Sequence, residues 1–254
     1  MDPVNWLLLR GLVREARHWM DFPKKLEERF PGHQAFCLDL PGLGTEYGNS
    51  SPLSISEIRR DLQKRFVELS RQAPQQPWSL LTISLGSMVG LDWVSADPTR
   101  FERLVIMNTS CANLCWPHQR LRPERLLNLL KIRSLKSDPV AREREILKLT
   151  TAHHDQLDEL SKIWGLWSQE KPLRVKVAVA QLFAATRFIA PKEVPIPMLV
   201  FAGAQDHFVS PESSKRIADF YEAPFMAHPS GGHDLFVDDP RWILDRLQEW
   251  LASR

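Results

Sequence analysis

Cysteine is scarce in this chain, which contains only Cys37, Cys111 and Cys115. A disulfide framework uses paired cysteines at a higher density, so three residues are more typical of reduced thiols and of a cytoplasmic protein. Cys111 and Cys115 have no second Cys or His pair nearby, as a zinc site would need. The sequence therefore predicts neither disulfides nor a metal site.

The chain also lacks an excess of one charge and any long apolar run. Its 33 basic and 31 acidic side chains are mixed along the sequence and leave a formal charge of +2. No basic stretch can follow a phosphate backbone, which argues against nucleic acid as a partner. The first apolar stretch ends at Arg10, too early for a signal peptide, and no uncharged run approaches the roughly 18 residues of a membrane span. We expect a soluble protein with no membrane partner.

The length and composition allow one large core. A chain of 254 residues with 43% hydrophobic residues fits one α/β domain carrying an insertion better than two independent domains. The sequence is compatible with a monomer or a small homo-oligomer.

Short apolar runs rich in β-forming residues alternate with longer helical patterns. Strands are predicted near residues 6–9, 34–38, 78–83, 104–108, 197–202 and 225–227, with helices between most of them. This alternation predicts a mostly parallel sheet of about six strands with helices on both faces. Between the fourth and fifth strands only helical segments are found. We therefore assign residues 1–110 and 191–254 to the α/β core and residues 111–190 to a helical lid insertion.

Ser84 is the first candidate catalytic residue, because it lies where a buried strand turns directly into a helix. A turn this tight strains the backbone and lifts the serine hydroxyl clear of the sheet, which requires small residues two positions away on either side. Gly86 meets this requirement, whereas Thr82 meets it poorly. A serine followed by glycine two residues later is also typical of a helix N-cap.

Two further residues complete a catalytic arrangement with Ser84. A serine hydroxyl needs a neighbouring base, and the base needs an acid to orient it. Asp206 follows the fifth strand and His233 lies between the last strand and the last helix, so the order is serine, acid, histidine. Singly, Asp206 fits a turn residue and His233 a loop histidine; together, in this order, they predict a triad.

The motifs around these residues resemble those of the α/β-hydrolase superfamily, in particular its small lidded serine esterases, and the resemblance covers essentially the whole chain. Leu9–Leu12 resembles the His-Gly oxyanion loop, residues 39–44 resemble the Asp-x-Pro-Gly-x-Gly loop, and residues 203–206 resemble the acid-bearing turn. The resemblance implies an oxyanion hole formed by the backbone N–H groups of Leu12 and Leu85. It also implies that the first two strands of the family are absent, which leaves a nearly all-parallel sheet.

The sequence departs from the family at Arg10, Thr82 and Ser87, where histidine, a small residue and glycine are usual. Arg10 has two interpretations: it holds the oxyanion loop through backbone carbonyls, or it places a positive charge near a substrate carboxylate. The segment 111–195 contains 15 basic and 9 acidic residues, which fits either an anionic acyl substrate or a solvated helix face. Trp116 and Trp164 are candidates for an apolar substrate pocket, although aromatic residues at helical spacing also form lid cores.

These observations predict a carboxylic ester hydrolase that acts on a small-molecule acyl substrate through an acyl-enzyme and needs no cofactor. Thioester, amide or carbon–carbon bond cleavage would use the same triad. A non-catalytic binding protein on the same scaffold is the alternative from a different class. Asp234, Asp238 and Asp239, close to His233 in sequence, are expected to be replaceable with small effect.

Overall fold

The computed structural model describes residues 2–120, 132, 135 and 137–253. Within these residues all strands pair in parallel in a single sheet of order β2-β1-β3-β4-β5-β6. The strands are β1 (Asn5–Leu9), β2 (Gln34–Cys37), β3 (Trp78–Ile83), β4 (Arg103–Met107), β5 (Met198–Gly203) and β6 (Phe225–His228). The predicted six-stranded, parallel α/β architecture is confirmed.

Helices connect the strands and cover both faces of the sheet. In the core they are α1 (Phe22–Arg29), α2 (Ile55–Gln72), α3 (Leu85–Ala96), α8 (Pro211–Phe220), α9 (Leu235–Asp238) and α10 (Pro240–Ala252). Between β4 and β5 they are α4 (Pro117–Arg120), α5 (Pro139–Thr150), α6 (Leu157–Glu170) and α7 (Val175–Arg187). A 3₁₀ turn at Ala16–Trp19 precedes α1.

Both faces of the central strands are buried, which explains why their sequences are mostly apolar. In β1, Trp6 and Leu8 pack into the hydrophobic cluster that includes α1 and α10. Leu7 and Leu9 point to the opposite face and pack into the cluster that includes α2 and α3. Side chains alternate between the faces of a strand, so a strand covered on both sides is apolar at most positions and not only at every second one.

The helices of the segment 111–190 form a small cluster of their own and also contact the core. Buried Leu147, Leu157, Leu160 and Trp164 join α5 and α6. A Cβ at Gly165 would lie 2.7 Å from Val140, so this glycine allows the two helices to approach closely. The segment predicted as a lid thus contains no strand among its described residues, while predictions for residues 121–131, 133, 134 and 136 lie outside them. Within the described residues, no helix combines the length and apolar character needed to cross a bilayer.

Candidate active site

Ser84 occupies the turn between β3 and α3 with backbone angles of φ +57° and ψ −121°. A serine at positive φ is strained, and such strain persists only where the surrounding structure enforces it. The Ser84 N–H donates to the Met107 carbonyl at 2.8 Å, and the Thr109 hydroxyl donates to the Ser84 carbonyl at 2.8 Å. Both backbone groups of the serine are therefore held by β4 and the residues that follow it.

The residues flanking Ser84 explain how the turn tolerates Thr82. The Thr82 hydroxyl donates to the Val105 carbonyl at 2.9 Å, so the polar group of the side chain is satisfied in the core. The facing residue of α3 is Gly90, where a Cβ would lie 3.1 Å from Leu104 and at an ordinary contact distance of 3.4 Å from the Thr82 methyl group. On the other side, a Cβ at Gly86 would lie 2.5 Å from the Leu9 carbonyl oxygen, which only glycine avoids.

The loop after β1 approaches the serine side chain closely. A Cβ at Gly11 would lie 2.9 Å from the Ser84 Cβ and 3.3 Å from its Oγ, so glycine is needed here. Leu12 lines the cavity next to Ser84, and Leu85 begins α3. Among the described residues, neither the Leu12 nor the Leu85 N–H donates to another protein group. The free N–H at a helix N-terminus carries partial positive charge, which suits a developing oxyanion.

His233 and Asp206 form a buried pair at the ends of β6 and β5. The His233 Nδ1 lies 2.7 Å from the Asp206 Oδ2, and both side chains are almost fully buried. The other oxygen of Asp206 accepts from the N–H groups of Phe208 and Val209 at 2.7 and 2.9 Å. This carboxylate is therefore fixed on both sides and holds the imidazole in one orientation.

Burial and charge act in opposite directions on the histidine. Burial alone would lower the pKa of His233, but the charge and hydrogen bond of Asp206, together with the charge of Asp234, outweigh it. The net effect raises the pKa above its ordinary value. An imidazole with a raised pKa is a stronger base, which suits proton transfer from a serine hydroxyl.

Asn108 connects the acid loop to the histidine loop and was not among the sequence candidates. Its Nδ2 donates to the carbonyls of Gly232 and His233 at 3.1 and 2.6 Å, and its Oδ1 accepts from the Gly203 N–H at 2.9 Å. Asn108 has φ +46°. Its position directly after β4, at the same sheet edge as Ser84, is the sequence feature that could have marked Asn108 as a site residue.

Arg10 is buried and pairs with the residue next to the histidine. Its Nη2 lies 2.9 Å from the Asp234 Oδ1, and the guanidinium lies 5.1 Å from the Trp19 ring and 4.3 Å from the Phe236 ring. Burial would raise the pKa of Asp234, but the charge of Arg10 outweighs it and keeps that pKa low. Arg10 thus ties the oxyanion loop to the histidine loop through a carboxylate, and not through backbone carbonyls as one interpretation of the sequence proposed.

Asp234→Asn is expected to lower the free energy of unfolding by about 3–5 kcal/mol, because it leaves a buried guanidinium without its counter-charge. The melting temperature should fall by on the order of 10 °C in thermal unfolding at neutral pH. The double change Arg10→Met with Asp234→Leu should recover most of this loss. Equal instability of the single and double variants would contradict the role of the ion pair.

The pair sets a pH window for stability. Because the folded-state pKa of Asp234 lies below its unfolded value, the contribution of the ion pair to stability is complete above about pH 3.9 and is lost as the pH falls through the lower folded pKa.

Asp238 is structural too, since its carboxylate accepts from the N–H groups of Gly232, Ala152 and His153 at 2.6, 3.0 and 3.0 Å. The expectation that Asp234 and Asp238 are replaceable with small effect is therefore not supported.

Two cavities open beside Ser84. The first, called here the apolar cavity, has a volume of about 290 Å³ and contains His233 in its wall. The second, the side cavity, has a volume of about 350 Å³ and is lined by more polar groups, including Asn108 and Arg120. The aliphatic and aromatic residues of the apolar cavity are Leu12, Val13, Ile83, Ile132, Ile146, Leu149, Leu173, Ala178, Val179, Leu182 and Phe208.

The structure does not bring the two candidate tryptophans to these cavities. Trp164 is fully buried in α6, where its ring contacts His18 at a centroid distance of 4.7 Å and its indole Nε1 donates to the sulfur of Met20. Trp116 is 62% exposed at the start of α4. Both indoles lie outside the walls of the apolar cavity and the side cavity, because one packs between helices and the other is exposed on the surface.

A residue of α7 contacts the loop that follows β1. The Gln181 side chain of α7 is fully buried and accepts from the Val13 N–H at 3.0 Å. Val13 has φ +52°, a rare conformation for a β-branched residue. The Gln181 Nε2 lies 3.5 Å from the Pro41 carbonyl. The glutamine therefore bridges two loops at the C-terminal sheet edge, a contact that no local sequence motif indicates.

The fold and the arrangement at the sheet edge define an α/β hydrolase. A family model described as the Alpha/beta hydrolase family matches residues 6–246, and the chain belongs to this family. A comparison with curated proteins found no match. Within the described residues, no group of three His, Cys, Asp or Glu side chains is arranged to bind a metal ion.

Many solved structures share the fold at low identity. A thermophilic esterase from Thermogutta terrifontis is 16% identical, with a TM-score of 0.73 over 98% of this chain and 90% of the other. The 2-hydroxy-6-oxo-6-phenylhexa-2,4-dienoate hydrolase from Rhodococcus sp. strain RHA1 is 20% identical, with a TM-score of 0.72 over 99% and 90%. A thioesterase of the prodiginine pathway in Streptomyces coelicolor is 14% identical, with a TM-score of 0.66 over 96% and 85%.

Proposed function

We propose that the protein is a serine hydrolase that cleaves carboxylic esters of small molecules through an acyl-enzyme. The observation that carries the proposal is the buried 2.7 Å contact between His233 and Asp206, with His233 and the strained Ser84 in the wall of one cavity. In this mechanism Ser84 attacks the ester carbonyl, and His233 accepts its proton and passes it to the leaving alcohol. Water, activated by His233, then releases the acid.

The remaining parts of the site support the two steps. Asp206 holds the imidazole so that Nε2 serves as the base, and its charge stabilises the imidazolium that forms. The N–H groups of Leu12 and Leu85 donate to the carbonyl oxygen as it gains negative charge, and each such donor contributes about 3–4 kcal/mol in the transition state. Residues 111–190 act as a lid that excludes water from the acyl group.

The related acyl-transfer reactions would use the same three residues as ester cleavage. An acyl-enzyme formed from an ester or from a thioester is the same species, so the side of the site that holds the leaving group decides between them. The esterase, the thioesterase and the dienoate hydrolase named above share the fold, which is compatible with each of these reactions. A thioester with the same acyl group therefore belongs in every substrate panel.

A fluorophosphonate probe is expected to label the folded protein with one equivalent at Ser84, because only an activated serine reacts with it. Peptide mass spectrometry locates the adduct. Ser87, whose hydroxyl accepts from the Met107 N–H, and Ser110, which lines the side cavity, are the rival serines. Heat-denatured protein is the control and should not react. Labelling at Ser110 would assign the nucleophile to the wrong serine, whereas no labelling of folded protein would contradict the proposal and favour a binding protein.

A further inference from the structure

A third cavity, called here the cationic cavity, adjoins the apolar cavity. It has a volume of about 80 Å³, and Val13, Arg14 and Leu173 line both cavities. Its described wall contains four cationic side chains and two carboxylates, namely Arg14, Arg142, Lys171 and Arg174 with Glu15 and Glu143. The wall is therefore positively charged at neutral pH.

The two carboxylates are already engaged. Glu143 accepts from the Arg14 Nη1 at 2.7 Å and lies 4.0 Å from the Arg142 Nε. Glu15 pairs with Arg17, which lies outside this cavity wall. His18 adds no charge, because burial, together with the charge of Arg14, lowers its pKa well below the ordinary value. The positive excess is thus not neutralised by any described residue of the wall.

Two of the guanidinium groups have hydrogen-bonding capacity to spare. The Arg14 side chain is 7% exposed, and its Nη2 has no partner among the described residues. The Arg174 Nε is likewise buried without a partner in the described part of the chain. Buried donors and charges are costly unless they are paired. An oxyanion in this cavity would supply the missing acceptor and the missing negative charge.

We propose that the substrate is an ester whose acyl chain ends in a carboxylate. This inference rests on the proposed function. The methylene chain occupies the apolar cavity beside Ser84, and the distal carboxylate enters the cationic cavity. A carboxylate fits because the cavity holds one small group and because a guanidinium presents paired N–H donors to a planar anion.

The test compares two isosteric substrates. The monomethyl ester of suberic acid carries the distal carboxylate, and the methyl ester of its monoamide replaces the carboxylate with a neutral group. Methanol release gives kcat/KM for each, and the adipic and sebacic homologues vary the chain length. The carboxylate ester is expected to be at least about tenfold better at its best length, the usual advantage of a charged hydrogen bond over a neutral one.

The variants Arg142→Gln and Arg174→Gln locate the anion. Each should lower the ratio of kcat/KM between the carboxylate and amide esters by about fivefold or more. Arg14→Met is avoided, because it would leave buried Glu143 without its partner. Lys176→Gln is the matched control, since Lys176 is exposed on α7, changes the net charge equally and does not line the cavity. This control should leave the ratio unchanged.

A second measurement does not depend on the leaving group. Free suberate should slow fluorophosphonate labelling of Ser84 more strongly than its monoamide does. Equal kcat/KM and equal protection for the two compounds would overturn the distal-anion proposal while ester hydrolysis stands. A preference lost equally in Lys176→Gln would overturn the assignment to this cavity. Absence of both labelling and hydrolysis would instead overturn the proposed function.

Discussion

Ser84→Ala is expected to reduce kcat for short p-nitrophenyl esters by about a millionfold, because it removes the atom that forms the acyl-enzyme. The melting temperature should stay within about 2 °C, since the serine side chain lines a cavity and makes no described hydrogen bond with its hydroxyl. Kinetics and thermal unfolding on the same preparation separate lost chemistry from lost folding.

The matched control for this variant is Ser87→Ala, three residues later in the same helix. Its hydroxyl contacts the backbone of Met107 in the core and lies outside the described walls of the cavities beside Ser84. It should cost about 1 kcal/mol of stability and leave most of the activity. Hydrolysis by Ser84→Ala at a rate near that of the unchanged protein would remove Ser84 from the mechanism.

Asp206→Asn is expected to lower kcat by about ten-thousandfold. The asparagine amide would donate to His233 Nδ1, and this would stabilise the tautomer that carries its proton on the wrong nitrogen. Steady-state kinetics with the same esters measure the loss. Asp219→Asn, an exposed change on α8 that removes only a surface pair with Lys215, is the control. A loss below about tenfold in Asp206→Asn would assign the acid role to another residue.

The pH profile of this variant gives a second readout. The unchanged protein needs neutral His233, so kcat/KM should rise with pH through an apparent pKa above the ordinary histidine value of about 6.5. Without the Asp206 carboxylate, burial and the charge of Arg10, which both lower the pKa of His233, are opposed only by the charge of Asp234. The residual activity of Asp206→Asn should therefore rise at lower pH. An unchanged midpoint would contradict the coupling between the two side chains.

The fold and the positions of the three triad candidates were open to prediction because both depend on local sequence. Fully apolar runs separated by helices specify a sheet covered on both faces, and parallel strands bring their carboxyl ends to one edge. Ser84, Asp206 and His233 each follow a strand, so they were expected at that edge. The structure places Asp206 beside His233 and brings His233 and Ser84 to one cavity.

The supporting contacts could not be predicted, because they join residues that are far apart in the chain. Arg10 and Asp234 are separated by 224 positions, and nothing near Arg10 indicates that its partner is a carboxylate. The structure does not place Trp164 in a cavity wall, for a related reason. Helical spacing shows that a residue lies on the buried face of its helix, but not whether that face meets a cavity or another helix. The hydroxyl of Thr82 likewise finds its acceptor on Val105, 23 positions away in the next strand.

In the proposed mechanism, the contact between Gln181 and Val13 would couple access to the site with the geometry of the loop after β1. If α7 moved away to admit a substrate, Val13 would lose the acceptor that helps to keep it at φ +52° and would relax toward a common backbone conformation. The neighbouring N–H of Leu12, which we propose as an oxyanion donor, would then no longer point at the substrate carbonyl oxygen. Water that entered the open site would meet a loop without its catalytic geometry, and this geometry would have to form again before each turnover.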